Sequence, residues 1–403
     1  MALSGDYSFQ LGNYAPLPIE LVRGEGCWVW DLADRKFLDF CMGIAVCSLG
    51  HCHPRLVEAF QQQSRELWHV SNLYRIPQQA KAAEALVDIV GHPGKIFFCN
   101  SGAEANELAY KITRKFGNTT RGTRANPWKL LTFNNGFHGR TLAGVAATAQ
   151  GKIKAGFEPD IPGFVHAPLN DIAALHAAVD DEVVAILVEP IQGEGGIHVA
   201  SSDFLHAGAQ LCRDKNMLLM FDEVQSGLGR AGAWNAWEAC GASEVKPDVV
   251  TWAKGMGGGF PVGAVFIAEP YVDLLPPGSH GTTYGGSPLA SRIVSTVLDV
   301  IKTEHLIENV QARSAQLRAG LQSIPLIEEV RGLGLMLGLV LKDTTPNETP
   351  ISRRAVEACL AEGLLVAPAG TNVIRLLPPL NVAEEEVAQA LEKLAKALLT
   401  LQE

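Results

Sequence analysis

A chain of 403 residues exceeds the size at which one hydrophobic core stops growing, which predicts two domains. With 47% hydrophobic and 19% charged residues, the composition is that of an ordinary soluble globular protein. Its 33 basic and 43 acidic residues leave a formal charge of −10, which argues against nucleic acid or an anionic membrane as the main partner.

The opening stretch MALSGDYSFQLGNYAPLPIE lacks a basic start followed by an apolar core, so it does not read as a signal peptide, and a cytoplasmic location is expected. Residues 1–54 read as an extended, strand-rich lead-in that joins a smaller domain. Within it, Cys47, His51, Cys52 and His53 invite a metal reading, but their spacing matches no usual zinc pattern and no second ligand pair follows. Pro54 marks a turn into a helix. The eight cysteines are scattered without regular spacing and read as reduced core residues.

From 55 to 300 the chain alternates short apolar runs with helical patterns, the signature of an α/β protein. Strands are predicted at 95–99, 129–133, 183–189, 217–222, 248–252 and 262–268, and their nearly unbroken apolar character suits buried parallel strands. A helix is predicted at 103–116, where Leu108, Ile112 and Phe116 share a face, and others at 290–302 and 384–403. Residues 301–403 read as a smaller α+β unit. Its apolar run GLGLMLGLVL, 332–341, is far too short to span a bilayer.

Glu189, Asp222 and Lys254 each fall at or just beyond the carboxyl end of a predicted strand, spaced by one strand-to-strand repeat. Ligands of open α/β sheets bind beyond that edge. Lys254, between the apolar VVTWA and the glycine cluster GMGGG, is on its own an ordinary surface lysine; its place beside two acids makes it a site candidate. GLGRAG at 227–232 fits a dinucleotide fingerprint, but the polar DEVQS separates it from the strand, where the true motif starts at once. CNSGAEANELA at 99–109 places Ser101 and Gly102 at a helix start, which suits an anion; a helix cap by Ser101 uses the same groups.

One ligand needs all of these parts. Pyridoxal phosphate carries a phosphate for a helix start, an aldehyde for a lysine and a ring nitrogen that an aspartate keeps protonated. NGFHGRT at 135–141 adds Phe137, able to stack on the ring. Along essentially its whole length the sequence resembles the class-III, ornithine/acetylornithine-type aminotransferases. The resemblance is carried by GIAVCSLGHCHP (43–54), FFCNSGAEANE (97–107), FHGRTL (137–142), VEPIQGEGG (188–196), FDEVQSGLGR (221–230), AKGMGGGFPVGA (253–264) and HGTTYGGSPLA (280–290). Met256 and Ser287 stand where close relatives often carry Leu and Asn.

The resemblance implies a fold-type I aminotransferase, with a mostly parallel central sheet flanked by helices in the large domain and a small α+β domain built from both chain ends. It implies that Lys254 binds the cofactor covalently and shuttles the substrate proton, and that Asp222 pairs with the ring nitrogen. Ser101, Gly102 and Ala103 hold the phosphate, joined by Thr283 from the other subunit of a homodimer; Phe137 stacks on the ring, and Glu223, Val224 and Gln225 complete the cofactor site. Arg140 grips a substrate carboxylate and Thr282 lies beside the substrate, while Glu194 masks Arg375 until a second carboxylate displaces it. From its residue type alone Arg375 is equally a surface salt-bridge residue. The implied activity is transfer of the amino group of N-acetylornithine to 2-oxoglutarate in arginine biosynthesis. Succinylornithine, ornithine and 4-aminobutyrate transaminases, and an aminomutase, are the alternatives within the family. A scaffold binding the cofactor as a structural ligand is the alternative outside it; Lys254, Asp222 and Arg140 argue against that, since a binder needs no proton shuttle or substrate clamp.

Overall fold

The computed structural model describes residues 5–120, 128–343 and 348–402, so the first four residues of the N-terminal stretch and Glu403 lie outside the described residues. At the centre stands a seven-stranded sheet. In spatial order its strands are Gly94–Cys99, Gly263–Ala268, Val249–Trp252, Leu218–Asp222, Val183–Val188, Lys129–Phe133 and Phe164–Ala167. Every pairing is parallel except the two made by Gly263–Ala268.

Four of these strands are buried at every position, because helices cover both faces of the sheet. Each fully buried Val, Leu or Ile contributes about 1.5–3 kcal/mol. The apolar run at 262–268, expected as a parallel strand, runs antiparallel: an unbroken apolar run reports burial on two faces and says nothing of direction. The edge strand Phe164–Ala167 escapes the apolar-run criterion, being four residues long, largely half-buried and interrupted by His166.

The helix Gly102–Thr120 buries the expected face, with Leu108, Ile112 and Phe116 joined by Ala105 and Ala109. It packs across Val249–Trp252 and Gly263–Ala268, which aims its first turn at the carboxyl edge of the sheet. The helix Pro288–Thr303 has two apolar faces. Ala290, Val294 and Leu298 enter the core of the central sheet, while Ile293, Val297 and Ile301 enter a second core.

Two four-stranded sheets surround the second core. One joins Leu21–Glu25, Trp28–Asp31 and Lys36–Asp39 to Leu364–Leu365, so sequence from both ends of the chain shares one sheet. The other is antiparallel, with strands Ile327–Leu333, Met336–Leu341, Val373–Leu376 and Ala367–Pro368. GLGLMLGLVL supplies the turn and second strand of a hairpin in it. No helix of the described residues is long and apolar enough to cross a membrane.

All eight cysteines are free thiols. Five are buried, whereas Cys41 and Cys47 are half-buried and Cys52 is exposed, which corrects the expectation that all are core residues. Those three belong to an irregular loop in which Met42, Ile44, Ala45 and Cys52 have positive φ.

Candidate active site

Asp222 ends the strand Leu218–Asp222, Glu189 follows Val183–Val188, and Lys254 lies two residues beyond Val249–Trp252. Because these strands are parallel, all three side chains reach the same edge and line one cavity of about 400 Å³. Ser101, Gly102, Ala103, Phe137, Arg140, Glu194, Val224 and Gln225 line it as well. Lys254 opens a short 3-10 turn with φ of +43°, a left-handed conformation that costs a residue with a side chain on the order of 1 kcal/mol and aims the amine from the sheet edge. Among the described residues its Nζ has neither a hydrogen bond nor an ion-pair partner. Burial lowers its pKa, with Arg375 adding to the effect and Glu194 opposing it. A lysine held toward its neutral form is a nucleophile for a carbonyl carbon.

Asp222 is held from behind. Its Oδ2 accepts from Asn106 Nδ2 at 2.7 Å and meets His138 Nδ1 at 2.8 Å, and its Oδ1 accepts from the Val224 amide at 3.1 Å. Asn106 Oδ1 in turn accepts from Thr251 Oγ1 at 2.9 Å, and Tyr110 Oη donates to the His138 carbonyl at 3.0 Å. Burial opposes a charge on His138, but the Asp222 and Glu189 carboxylates outweigh it and hold the imidazole above its usual pKa. Sequence reasoning passed over Asn106, Tyr110 and His138. The available signal was polar residues at four-residue spacing, 106 and 110, on the mostly apolar buried face of an amphipathic helix.

At the other end of the cavity, Ser101 Oγ accepts from the Glu104 amide at 3.2 Å, so Ser101 does cap the helix. The amides of the first turn have no acceptor within their own helix and suit an anion. A Cβ on Gly102 would come within 2.7 Å of Val224 Cγ1, so only glycine allows the helix start to close on the cavity wall. Thr282 stands just outside the lining, where its Oγ1 accepts from Asn100 Nδ2 at 3.1 Å. Thr283 is exposed and outside the cavity of its own chain. Glu223, expected beside the cofactor, turns away: its carboxyl accepts from the amides of Ala236 at 2.8 Å and Trp237 at 3.3 Å, and burial raises its pKa to about 8.

Arg375 arrives from the strand Val373–Leu376 of the antiparallel sheet. It is 2% exposed, which corrects the surface salt-bridge alternative. Its Nη1 and Nη2 meet Glu194 Oε1 and Oε2 at 2.7 and 3.0 Å, a two-pronged pair. Nη1 also donates to Gln225 Oε1 at 3.1 Å and to the Gly193 carbonyl at 3.0 Å. Burial opposes charge on Glu194, but Arg375 outweighs it and keeps the carboxyl below its usual value. Arg140 is exposed, with its guanidinium 5.5 Å from the centre of the Phe137 ring. In the cysteine–histidine loop, His51 Nε2 lies 2.8 Å from Asp39 Oδ2, and no cluster of the described residues could hold a metal ion.

An unpartnered buried amine, an acid braced from behind, an amide-rich helix start and an aromatic ring surround a cavity large enough for pyridoxal phosphate, and their chemistry fits it. The chain matches the aminotransferase class-III family over residues 10–398. It is 47% identical to an acetylornithine aminotransferase of Thermosynechococcus vestitus over 97% of this chain and 95% of that protein. Among solved structures, the N-acetylornithine aminotransferase of Stenotrophomonas maltophilia superposes with a TM-score of 0.82 at 36% identity, covering 96% of each chain. The ornithine aminotransferase of Toxoplasma gondii superposes with a TM-score of 0.92 at 32% identity, covering 98% of this chain and 93% of that one.

Proposed function

The chain belongs to the class-III aminotransferases, which depend on pyridoxal phosphate, and from that premise we propose that it is an acetylornithine aminotransferase. The reaction converts N-acetylornithine and 2-oxoglutarate to N-acetylglutamate 5-semialdehyde and glutamate, a step of arginine biosynthesis run in the cytoplasm. The observation that carries this reading is the pairing of buried Arg375 with Glu194, which lines the lysine-bearing cavity. Such a pair lets one site take a donor with one carboxylate and then an acceptor with two. The choice of N-acetylornithine over ornithine is supported by sequence: the two relatives of that name are 47% and 36% identical to this chain and the Toxoplasma enzyme is 32% identical.

Bound in the cavity, pyridoxal phosphate would supply an aldehyde for the amino group and a ring that delocalises the electron pair left at the carbon bearing that amino group, Cδ of N-acetylornithine and C2 of glutamate. Lys254 Nζ is the anchoring amine and moves the proton at that amine-bearing carbon. Asp222, backed by His138, keeps the ring nitrogen protonated. Ser101, Gly102 and Ala103 bind the phosphate, Val224 and Gln225 line the ring edge, and Phe137 covers a ring face. Arg140 grips the carboxylate remote from the reacting carbon, which donor and acceptor both carry. Glu194 covers Arg375 while the donor is bound and yields to the second carboxylate of 2-oxoglutarate, the one beside its keto carbon.

In the same reading residues 55–300 hold the cofactor and the two ends of the chain present Arg375. The working unit is a homodimer in which Thr283 completes the partner's phosphate site. Beside the cavity lies an apolar recess walled by Phe60, Trp68, Phe260 and Tyr284, and Trp68, Tyr74 and Tyr284 are each at least 60% exposed. A second copy would cover that surface. The test is a donor panel at equal concentration with 2-oxoglutarate: N-acetylornithine, N-succinylornithine, ornithine and 4-aminobutyrate. N-acetylornithine should give the highest kcat/KM; a higher value for ornithine or 4-aminobutyrate would sink the assignment.

A further inference from the structure

Glu189 lines the cavity but has no part in the chemistry above. It is 8% exposed, and burial pushes its carboxyl above the usual range, opposed chiefly by His138. Asp222, Lys254 and Tyr110 are the other titratable groups that feel it. A buried carboxyl is expensive, so its hydrogen bonds matter.

Its Oε2 accepts from the amide of Phe137 at 2.9 Å, and its Oε1 accepts from the amide of Gly193 at 3.4 Å. The two donors come from different loops. Phe137 begins the loop that also carries His138 and Arg140. Gly193 immediately precedes Glu194, and its carbonyl accepts from Arg375 Nη1 at 3.0 Å. A carboxylate presents an acceptor to both amides at once; an amide side chain presents one acceptor and one donor, and that donor would face an N–H. Room for the arrangement comes from Gly136, where a Cβ would sit 3.2 Å from Glu189 Oε2 and 2.9 Å from the Phe133 carbonyl.

We propose that Glu189 is a positioning residue that ties the Phe137 loop and the Gly193–Glu194 turn to one point of the sheet edge, so that the ring-covering residue and the partner of Arg375 stay in register. This rests on the aminotransferase reading, and the two are separable. Binding of pyridoxamine 5′-phosphate to apoprotein, followed by quenching of tryptophan fluorescence, reports on the Phe137 arm without turnover. Glu189→Gln should weaken it about tenfold, Phe137→Ala should weaken it similarly, and the double variant should be no weaker than either single one, because both act through the same contact. In turnover, Glu189→Gln should raise KM for 2-oxoglutarate several-fold more than KM for N-acetylornithine, with a smaller change in kcat.

If Glu189→Gln does not fold, Glu189→Asp serves in its place: the retracted carboxylate keeps its charge but cannot reach both amides. Wild-type binding and an even KM ratio in the variant would overturn the proposal, as would losses that add fully in the double variant. A wild type that does not bind the probe at all would overturn the aminotransferase reading instead.

Discussion

Arg375 and Glu194 come from separate parts of the fold, one from a strand of the antiparallel sheet and the other from a turn beyond the central sheet, and they meet with both guanidinium prongs on both carboxylate oxygens at 2.7 and 3.0 Å. Burying the Arg375 charge is costly, and its pairing with Glu194, helped by Gln225 and the Gly193 carbonyl, offsets that cost, although Arg375 Nε is left without a partner among the described residues. Such a pair opens readily to an incoming carboxylate of the same shape, because the guanidinium exchanges one two-pronged partner for another. Glu194→Gln should therefore favour glutamate and 2-oxoglutarate over N-acetylornithine, and Arg375→Ala should do the reverse. Single-turnover kcat/KM for each half-reaction checks this, since their ratio reports differential transition-state binding. Equal losses in both half-reactions would make the pair structural.

Lys254→Ala should lower kcat by at least the ~10²–10⁴-fold that positioned proton transfer provides, with the far-ultraviolet circular dichroism unchanged. The side chain packs no core: it faces the cavity, and its amine has no partner among the described residues. Purified wild type should be yellow and lose that colour on addition of an amino donor. Wild-type turnover in the alanine variant would remove Lys254 from the mechanism.

The strand ends that deliver Glu189, Asp222 and Lys254 were legible because apolar runs mark buried strands and parallel strands share a carboxyl edge. Direction was not, as Gly263–Ala268 shows, since two-sided burial is the same in either sense. The bracing of Asp222 by Asn106 and His138 was also hidden. Those contacts join positions 116 and 84 residues apart in sequence, so even a polar residue recognised on the buried helix face could not be paired with Asp222 from spacing. Glu223, placed beside the cofactor by the resemblance, turns the other way, because along a strand and its extension neighbouring side chains point in opposite directions. The roles of Glu194 and Arg375 came from resemblance; spacing alone gave no reason to pair them.

Asp222→Asn should slow both half-reactions more than Asp222→Glu, because the ring nitrogen then lacks a negative partner. His138→Gln should show a weaker version of the same defect. It retains a donor toward Asp222 but removes the charge that the Asp222 and Glu189 carboxylates stabilise on the imidazole. The rates are read as single-turnover decay of cofactor absorbance with N-acetylornithine. Identical decay in His138→Gln and wild type would show that Asp222 needs no cationic backing.

Arg140→Lys should raise KM for both substrates by an amount equivalent to about 1.5–3 kcal/mol, the worth of a hydrogen bond to a charged group. Lysine preserves the charge but not the planar two-donor fork. Arg140 is exposed and, among the described residues, is held only by its approach to the Phe137 ring, so the change should leave the melting temperature within about 1 °C, as surface substitutions do. Unchanged kinetics would mean that Arg140 does not contact substrate.

The loop that begins with Asp39 gives a pH test of stability. Asp39 Oδ1 accepts from the amides of Cys41 and Met42, both at 2.8 Å, while Oδ2 meets His51 Nε2, also at 2.8 Å. The hydrogen bond to Asp39, with a smaller contribution from Cys47, raises the His51 pKa from 6.5 to about 10. A pKa raised by folding means that the folded state holds its proton more tightly. The stabilisation is therefore complete below the unfolded value near 6.5 and declines as pH rises toward about 10. His51→Gln should accordingly lower the melting temperature at pH 6, less at pH 8 and hardly at all at pH 10.5. At pH 6 the loss should lie toward the lower end of the roughly 1.5–3 kcal/mol of a charge-assisted hydrogen bond, because the imidazole side chain is 21% exposed. A deficit in the glutamine variant that stays constant over this range would show that His51 acts by packing, and that its proton contributes nothing to the fold.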